Sequence, residues 1–159
     1  DCGKMDAVDL KKCVDDSLVI CQNRIKHIGK IDINIQPVNG KVYGIANQIE
    51  QVIINLLGNA ADELEQTPES RIEIAVVQDG DHALIRIMDN GKGVSPELAD
   101  RIFDPFFTTK GVGKGTGLGL AICSKILANH NGKLSLDQSY ENGACFVIDL
   151  PIHDTEVHP

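Results

Sequence analysis

The chain has 159 residues, 42% of them hydrophobic and 24% charged, with a formal net charge of −8. That length suffices for one domain with a real core, while the acidic balance argues against a nucleic-acid groove, which needs clustered Lys and Arg. No run approaches the ~20 apolar residues of a membrane span, and with no Trp and 4% aromatics the core must be aliphatic.

In chain order, Val8-Asp9-Leu10 reads as a short strand. A helix follows with Leu10, Val14, Leu18, Cys21 and Ile25 on one face, ending near Gly29. Residues 31–36 (IDINIQ) alternate cleanly and read as a strand. KVYG leads into a long helix over about 45–66, closed by Thr67-Pro68. RIEIAVVQ (71–78) and HALIRIMD (82–89) are strands joined through Asp79-Gly80, the strongest hairpin signal in the chain. A glycine-rich stretch runs from Asn90 to Gly117, with one short helix at Pro96–Phe103. Leu118 to about Asn131 is helical, with Gly132 as its stop. KLSLDQS and ACFVIDLP close the fold as an antiparallel pair. The pattern predicts a two-layer α/β sandwich, with one mixed, mostly antiparallel sheet and three helices on one face. The tail HDTEVHP (153–159) shows no periodicity.

The five cysteines form no CxxC and no zinc-type spacing with histidine. They read as buried thiols of a reduced, cytoplasmic protein. There is no signal-peptide layout. The opening DCGKMDAVDL, without an initiator Met, reads as a piece of a longer protein.

Three features do not fit a purely structural reading. The first is the polar side of the helix at 45–66. Val52, Ile53, Leu56, Leu57, Ala60 and Ala61 make an ordinary apolar face. Gln51, Asn55, Asn59 and Asp62, with Gln48 and Gln66, make a stripe of amides and one carboxylate. Asn is a poor helix former, because its side chain competes for backbone hydrogen bonds. The second is the long loop at 90–117, bracketed by DNGKG (89–93) and GVGKGTGLG (111–119). Loops of that length are commonly lids or binding loops. Alternating Gly113, Gly115, Gly117 and Gly119 before a helix start would cradle an anion on backbone N–H groups. Neither the Walker A nor the Rossmann pattern is matched. The third is Asp89, in phase with Ile85 and Ile87. Its carboxylate should face the core and needs a donor, such as the exocyclic amine of a purine, or else caps its own turn.

NLLGNA with Asn55 and Asn59, DNGKG, DPFFTTK and GKGTGLGL, in that order, resemble four motifs of one family. They are similar to the N box, first glycine box, F box and second glycine box of the ATP-binding catalytic domain of sensor histidine kinases. These belong to the GHKL superfamily of Bergerat-fold ATPases. The resemblance covers about residues 7–151. It implies a catalytic domain over 1–152 with a lid at about 95–116, ATP and Mg²⁺ as ligands, and transfer of the γ-phosphate to a histidine.

Carried over by the resemblance, Asn55 places its side-chain oxygen on Mg²⁺, and Asn59 contacts the phosphates or the metal's water shell. Asp89 accepts from the adenine N6 amine, and Gly91 and Gly93, with Val94 beside them, let the base approach the backbone. Phe106, Phe107, Thr108, Thr109 and Lys110 belong to the lid. Lys110 or Lys114 neutralises phosphate charge, and Asn55 and Lys110 are the catalytic pair. Gly115, Thr116, Gly117, Leu118 and Gly119 hold the phosphates at the helix start. Asp62 falls in the same set, although many members have Lys there. Gly143-Ala144 stands where the family often has Gly-Thr.

Hydrolases of the superfamily carry a general-base Glu four residues before the first Asn. Here that residue is Gln51. Glu50 is about 100° away around the helix. This favours transfer to a protein over hydrolysis. None of His27, His82, His130, His153 or His158 fits the phosphoacceptor pattern. The acceptor would lie on a helical hairpin, dimeric in the parent protein, with a response regulator downstream. The isolated chain is expected to be monomeric, with no nucleic acid or membrane contact of its own. The parent is left open as membrane-anchored or not. The alternatives are a non-catalytic GHKL nucleotide sensor and a serine-directed GHKL kinase.

Overall fold

The computed structural model describes residues 4–107 and 119–153. The elements, in order, are β1 (Asp6–Val8), α1 (Leu10–Ile25), β2 (Lys30–Ile35), β3 (Val42–Gly44), α2 (Ala46–Glu63), β4 (Arg71–Asp79) and β5 (His82–Asp89). They continue with α3 (Pro96–Ala99), α4 (Gly119–Asn129), β6 (Lys133–Leu136) and β7 (Cys145–Pro151). Five strands form one sheet in the order β2-β4-β5-β7-β6, and β1 pairs with β3 in a separate ribbon. Only β2–β4 is parallel within the main sheet; the other three pairings are antiparallel. The architecture is the expected two-layer sandwich.

One face of the sheet carries the core. Ile72, Ile74 and Val76 of β4 stand beside Ile85 and Ile87 of β5 and Ile148 and Leu150 of β7. Against them pack Val14 and Cys21 of α1, Ile53, Leu56 and Leu57 of α2, and Cys123 and Leu127 of α4. Each Ile or Leu so buried contributes about 2–3 kcal/mol relative to an exposed one. The opposite face keeps a small cluster of Ala75, Met88, Cys145 and Val147 under Leu84 and Tyr140.

Several boundaries differ from expectation. Asp9 is not in a strand. Its carboxylate caps α1 by accepting from the Lys12 N–H at 3.2 Å, and β1 lies just before it. α1 stops at Ile25 rather than near Gly29. Gly29 instead meets the β4 entry, where its N–H donates to the Ser70 hydroxyl at 3.0 Å. α2 begins at Ala46, and its N-cap Ile45 has no capping side chain. The Ile45 N–H donates to Nε2 of buried His130 at 3.0 Å, while His130 Nδ1 donates to the Ile126 carbonyl at 2.8 Å. That pair of bonds requires the neutral Nδ1–H tautomer and ties the end of α4 to the start of α2.

The short helix expected at 96–103 is one turn, Pro96–Ala99. Isolated turn bonds carry the chain on to Phe107. At the end of α4 the left-handed residue is Asn131 (φ 58°), not Gly132. Asn131 N–H donates to Ala128 and Gly132 N–H to Leu127, which is a Schellman closure. Gly132 is needed for a different reason: a Cβ there would stand 2.3 Å from the Asp149 carbonyl. His153, expected in the unstructured tail, exchanges two backbone hydrogen bonds with Lys41. Residues 154–159 lie outside the described residues.

Candidate functional site

β5 runs Ile85, Ile87, Asp89 along the core face, and Asp89 pairs in register with Ile72. The alternation of a strand thus drives a carboxylate under the C-terminal end of α2. Asp89 is 6% exposed. Its Oδ1 accepts from the Gly91 N–H at 2.9 Å and from the Ala144 N–H at 3.3 Å. The first bond is the local Asx turn allowed for in the sequence; the second comes from the residue just before β7. Both bonds go to Oδ1. No buried side-chain polar atom among the described residues lacks a partner. Burial pushes the Asp89 carboxyl above the usual carboxylate range. The two N–H groups work against that shift, and the charge of Glu63 adds to it.

The loop after Asp89 is pressed flat. A Cβ on Gly91 would lie 3.1 Å from Asp89 Oδ1 and 3.2 Å from Glu63 Cγ. Gly93 has φ +75°, and its Cβ would meet the Gly143 carbonyl at 2.9 Å. Gly143, with φ +153°, is tighter still: a Cβ there would sit 1.9 Å from the Asp89 carbonyl. Asn90 anchors this stack. Its Oδ1 accepts from the Arg71 N–H at 2.7 Å and its Nδ2 donates to the Glu69 carbonyl at 2.9 Å. Val94 is half-buried just beyond.

The amide stripe of α2 lines the other part of the cleft. Asn59 Nδ2 donates to Asn55 Oδ1 at 3.4 Å, and both side chains are half-buried. Gly119, the first residue of α4, lies directly over Asn55. A Cβ there would be 2.8 Å from Oδ1 and 2.9 Å from Nδ2. The glycine therefore lets the helix start close onto the amide. Gln51 is exposed on the same helix. Glu50 turns toward α1, where it faces Asp16 and Lys12, and burial raises its carboxyl.

Asp62 is bound by Arg24 of α1, whose Nη2 donates to Oδ1 at 3.2 Å and to Oδ2 at 3.3 Å. In the segment after α3, Ile102 is buried and Phe103 meets Phe146 edge-on at 6.2 Å. The Arg101 guanidinium lies 4.9 Å over the Phe107 ring. Phe106 is 73% exposed, with φ +69°. Thr108, Thr109, Lys110, Lys114, Gly115, Thr116, Gly117 and Leu118 lie outside the described residues.

The structure groups Asn55 and Asn59 with Gly119, and Asp89 with Gly91, whose neighbours Glu63 and Leu64 lie at the end of the same α2. Sequence reasoning missed Asn90, Gly143, His130 and Arg24. For Gly143 the signal was present in Asn142-Gly143, a turn dipeptide. The other three act across the fold and leave no local pattern.

A buried carboxylate at the end of β5, close-packed glycines beside it and an amide stripe on α2 under the start of α4 accompany this fold. The family described as "Histidine kinase-, DNA gyrase B-, and HSP90-like ATPase" matches residues 44–154, and the chain belongs to it. Within that family its relatives are sensor histidine kinases. It is 45% identical over 116 residues to the two-component sensor PprA of Pseudomonas aeruginosa, covering 70% of this chain and 12% of PprA. It is 35% identical over 151 residues to the histidine-protein kinase AtoS of Escherichia coli, covering 92% of this chain and 24% of AtoS. The mycobacterial sensor histidine kinase MprB superposes with a TM-score of 0.81 at 28% identity, over 94% of this chain and 98% of that structure. The chain is thus a catalytic ATPase domain of the histidine-kinase type. It spans 12% of the length of PprA and 24% of that of AtoS. Among the described residues no helix is long and apolar enough to cross a membrane.

Proposed function

We propose that this domain binds ATP with Mg²⁺ along the Asp89–Asn55 cleft and delivers the γ-phosphoryl group to a histidine on a helical-hairpin domain of its parent protein. A response regulator would then take the group. The observation that carries this reading is Asp89. The carboxylate is buried and takes two backbone N–H donors on Oδ1, and its other oxygen is the acceptor this reading assigns to the ligand. An acceptor so placed suits an amine such as adenine N6. The flattened Gly91–Gly93 loop leaves room for a planar base over the backbone.

At the other end Asn55 offers a neutral oxygen, and Mg²⁺ favours oxygen ligands while keeping several waters. No cluster of three His, Cys, Asp or Glu that could hold a metal occurs among the described residues. The fit is therefore to an ion carried mainly by phosphates, with Asn55 as the protein ligand. Bound there, Mg²⁺ would supply positive charge to the polyphosphate. Asn59, donating to Asn55 at 3.4 Å, orients that oxygen.

Transfer breaks the bond between the γ-phosphorus and the bridging oxygen and forms one to an imidazole nitrogen, and ADP leaves. The chain's own part is positioning and charge. Gln51 cannot take a proton from water at neutral pH, and Glu50 is directed at α1. Hydrolysis is therefore slow, and the acceptor must come from elsewhere. Mixed with the helical hairpin of its own parent and γ-labelled ATP, the domain should label one histidine. The product should be acid-labile and base-stable. Acid-stable labelling would indicate a serine-directed kinase, and no labelling would indicate a nucleotide sensor.

A further inference from the structure

Arg24 leaves the outer side of α1 and lies on α2 at Gly58. A Cβ on Gly58 would stand 2.2 Å from Nη1, 2.6 Å from Cζ and 2.8 Å from Nη2. The guanidinium thus fills the place where a side chain at position 58 would be. Nη2 donates to the Gly58 carbonyl at 3.2 Å and to both oxygens of Asp62. The Arg24 side chain is 52% exposed.

The location matters more than the ion pair. Gly58 follows Asn55 by three residues and precedes Asp62 by four, and residues so spaced are neighbours on a helix surface. The guanidinium therefore borders the amide stripe. That stripe is Gln48, Gln51, Asn55, Asn59, Asp62 and Gln66, with no cation of its own. A triphosphate lying along it needs positive charge. Lys92, the cation of the Gly91–Gly93 loop, is paired with Glu63 at the base end. Arg24 places a planar, multi-donor cation beside the stripe, between Asn55 and Asp62, in a notch that only glycine leaves open. Its bond to Asp62 is half-exposed on both sides and correspondingly weak. Arginine binds phosphate oxygens in a fork, which makes a stronger contact.

We propose that Arg24, seated in the notch left by Gly58, is a nucleotide-binding residue that takes the terminal phosphate, with Asp62 holding its guanidinium within reach. This rests on the reading that the cleft binds ATP. The contact is to the phosphate that ADP lacks, so it separates the two nucleotides.

The test is calorimetric titration of the whole chain with ATP and with ADP, each with Mg²⁺. Arg24→Gln should weaken ATP by about tenfold and ADP by less than about twofold. Arg24→Lys should recover part of the loss, because it restores charge without the fork. Gly58→Ala should repeat the selective loss, since its Cβ displaces the guanidinium while alanine favours the helix. If ATP and ADP weaken equally, or neither changes, Arg24 merely ties α1 to α2 and the proposal is overturned. If the wild-type chain binds neither nucleotide, the cleft reading fails and this proposal with it.

Discussion

At the Asp89 end of the cleft, backbone packs on backbone. Gly143 has no room for a Cβ beside the Asp89 carbonyl, Gly93 has little beside Gly143, and Asn90 pins the turn to β4. At the Asn55 end, side chains meet side chains. Asn59 touches Asn55 at 3.4 Å, and Arg24 and Asp62 are half-exposed. The contrast fits the two tasks. A base is recognised by a fixed pattern of donors and acceptors, which a close-packed backbone holds without reorganisation. A polyphosphate with its metal is mobile and highly charged, and adjustable amides and cations suit it. Substitutions of the close-packed glycines at the first end should therefore act on folding and binding together. Those at the second should act on binding alone.

Gly143→Ala should have the largest effect. The positive φ and the contact with the Asp89 carbonyl cannot both be relieved, and the loss should be about 3 kcal/mol of stability. Urea unfolding measures it, and nucleotide binding should fall with it. A loss below about 1 kcal/mol would show that the base end is softer than described.

Asn55→Ala comes next. The helix should hold or gain roughly 0.5 kcal/mol, since alanine is the better helix former. The Mg²⁺-dependent part of ATP affinity should disappear. Titrations with and without the metal read this directly, and an unchanged metal dependence would make the stripe an ordinary solvent face.

The smallest effect is in thiol labelling. Burial pushes the Cys123 thiol to about 12 and that of Cys145 to about 11. Both should resist alkylation at pH 8 until the chain opens. Cys123, on a helix with only two buried residues, should label before Cys145, on a strand paired on both sides. The reverse order by mass spectrometry would invert the contrast between the two ends.

Much of this was legible in the sequence, and the reasons are local. The alternation through Ile85, Ile87 and Asp89 places the carboxylate on the core face, and Asp79-Gly80 sets the hairpin. The steps from Gln51 to Asp62 expose the odd polarity of α2. What was not legible depends on contacts far apart in the chain. The parallel pairing of β2 with β4 brings no local signal, and β1 and β3 are too short to announce a second sheet. His130 reads as an ordinary histidine, yet it supplies the cap that Ile45 lacks. Asp62 reads as one more member of the stripe until Arg24 arrives from α1. Asn131, not the adjacent glycine, takes the left-handed turn, because Asn also tolerates that region and Gly132 is reserved for the approach of β7.

The central claim of the proposed function is that buried Asp89 serves as the acceptor for a base. Its carboxyl is held above the usual range by burial. The folded state therefore carries a penalty for the charge at neutral pH, which fades as pH falls through the raised value. ATP affinity should move the opposite way, falling as the carboxyl gains a proton and ceases to be a pure acceptor. Asp89→Asn separates the two effects. Its Oδ1 can still accept from Gly91 and Ala144, while an amide donor replaces the second carboxylate oxygen that the proposal assigns to the base. Measured side by side at pH 7, Asp89→Asn should match or exceed wild type in thermal stability and bind ATP at least about thirtyfold more weakly. Equal ATP affinity, or a loss of stability in place of a loss of affinity, would contradict the account.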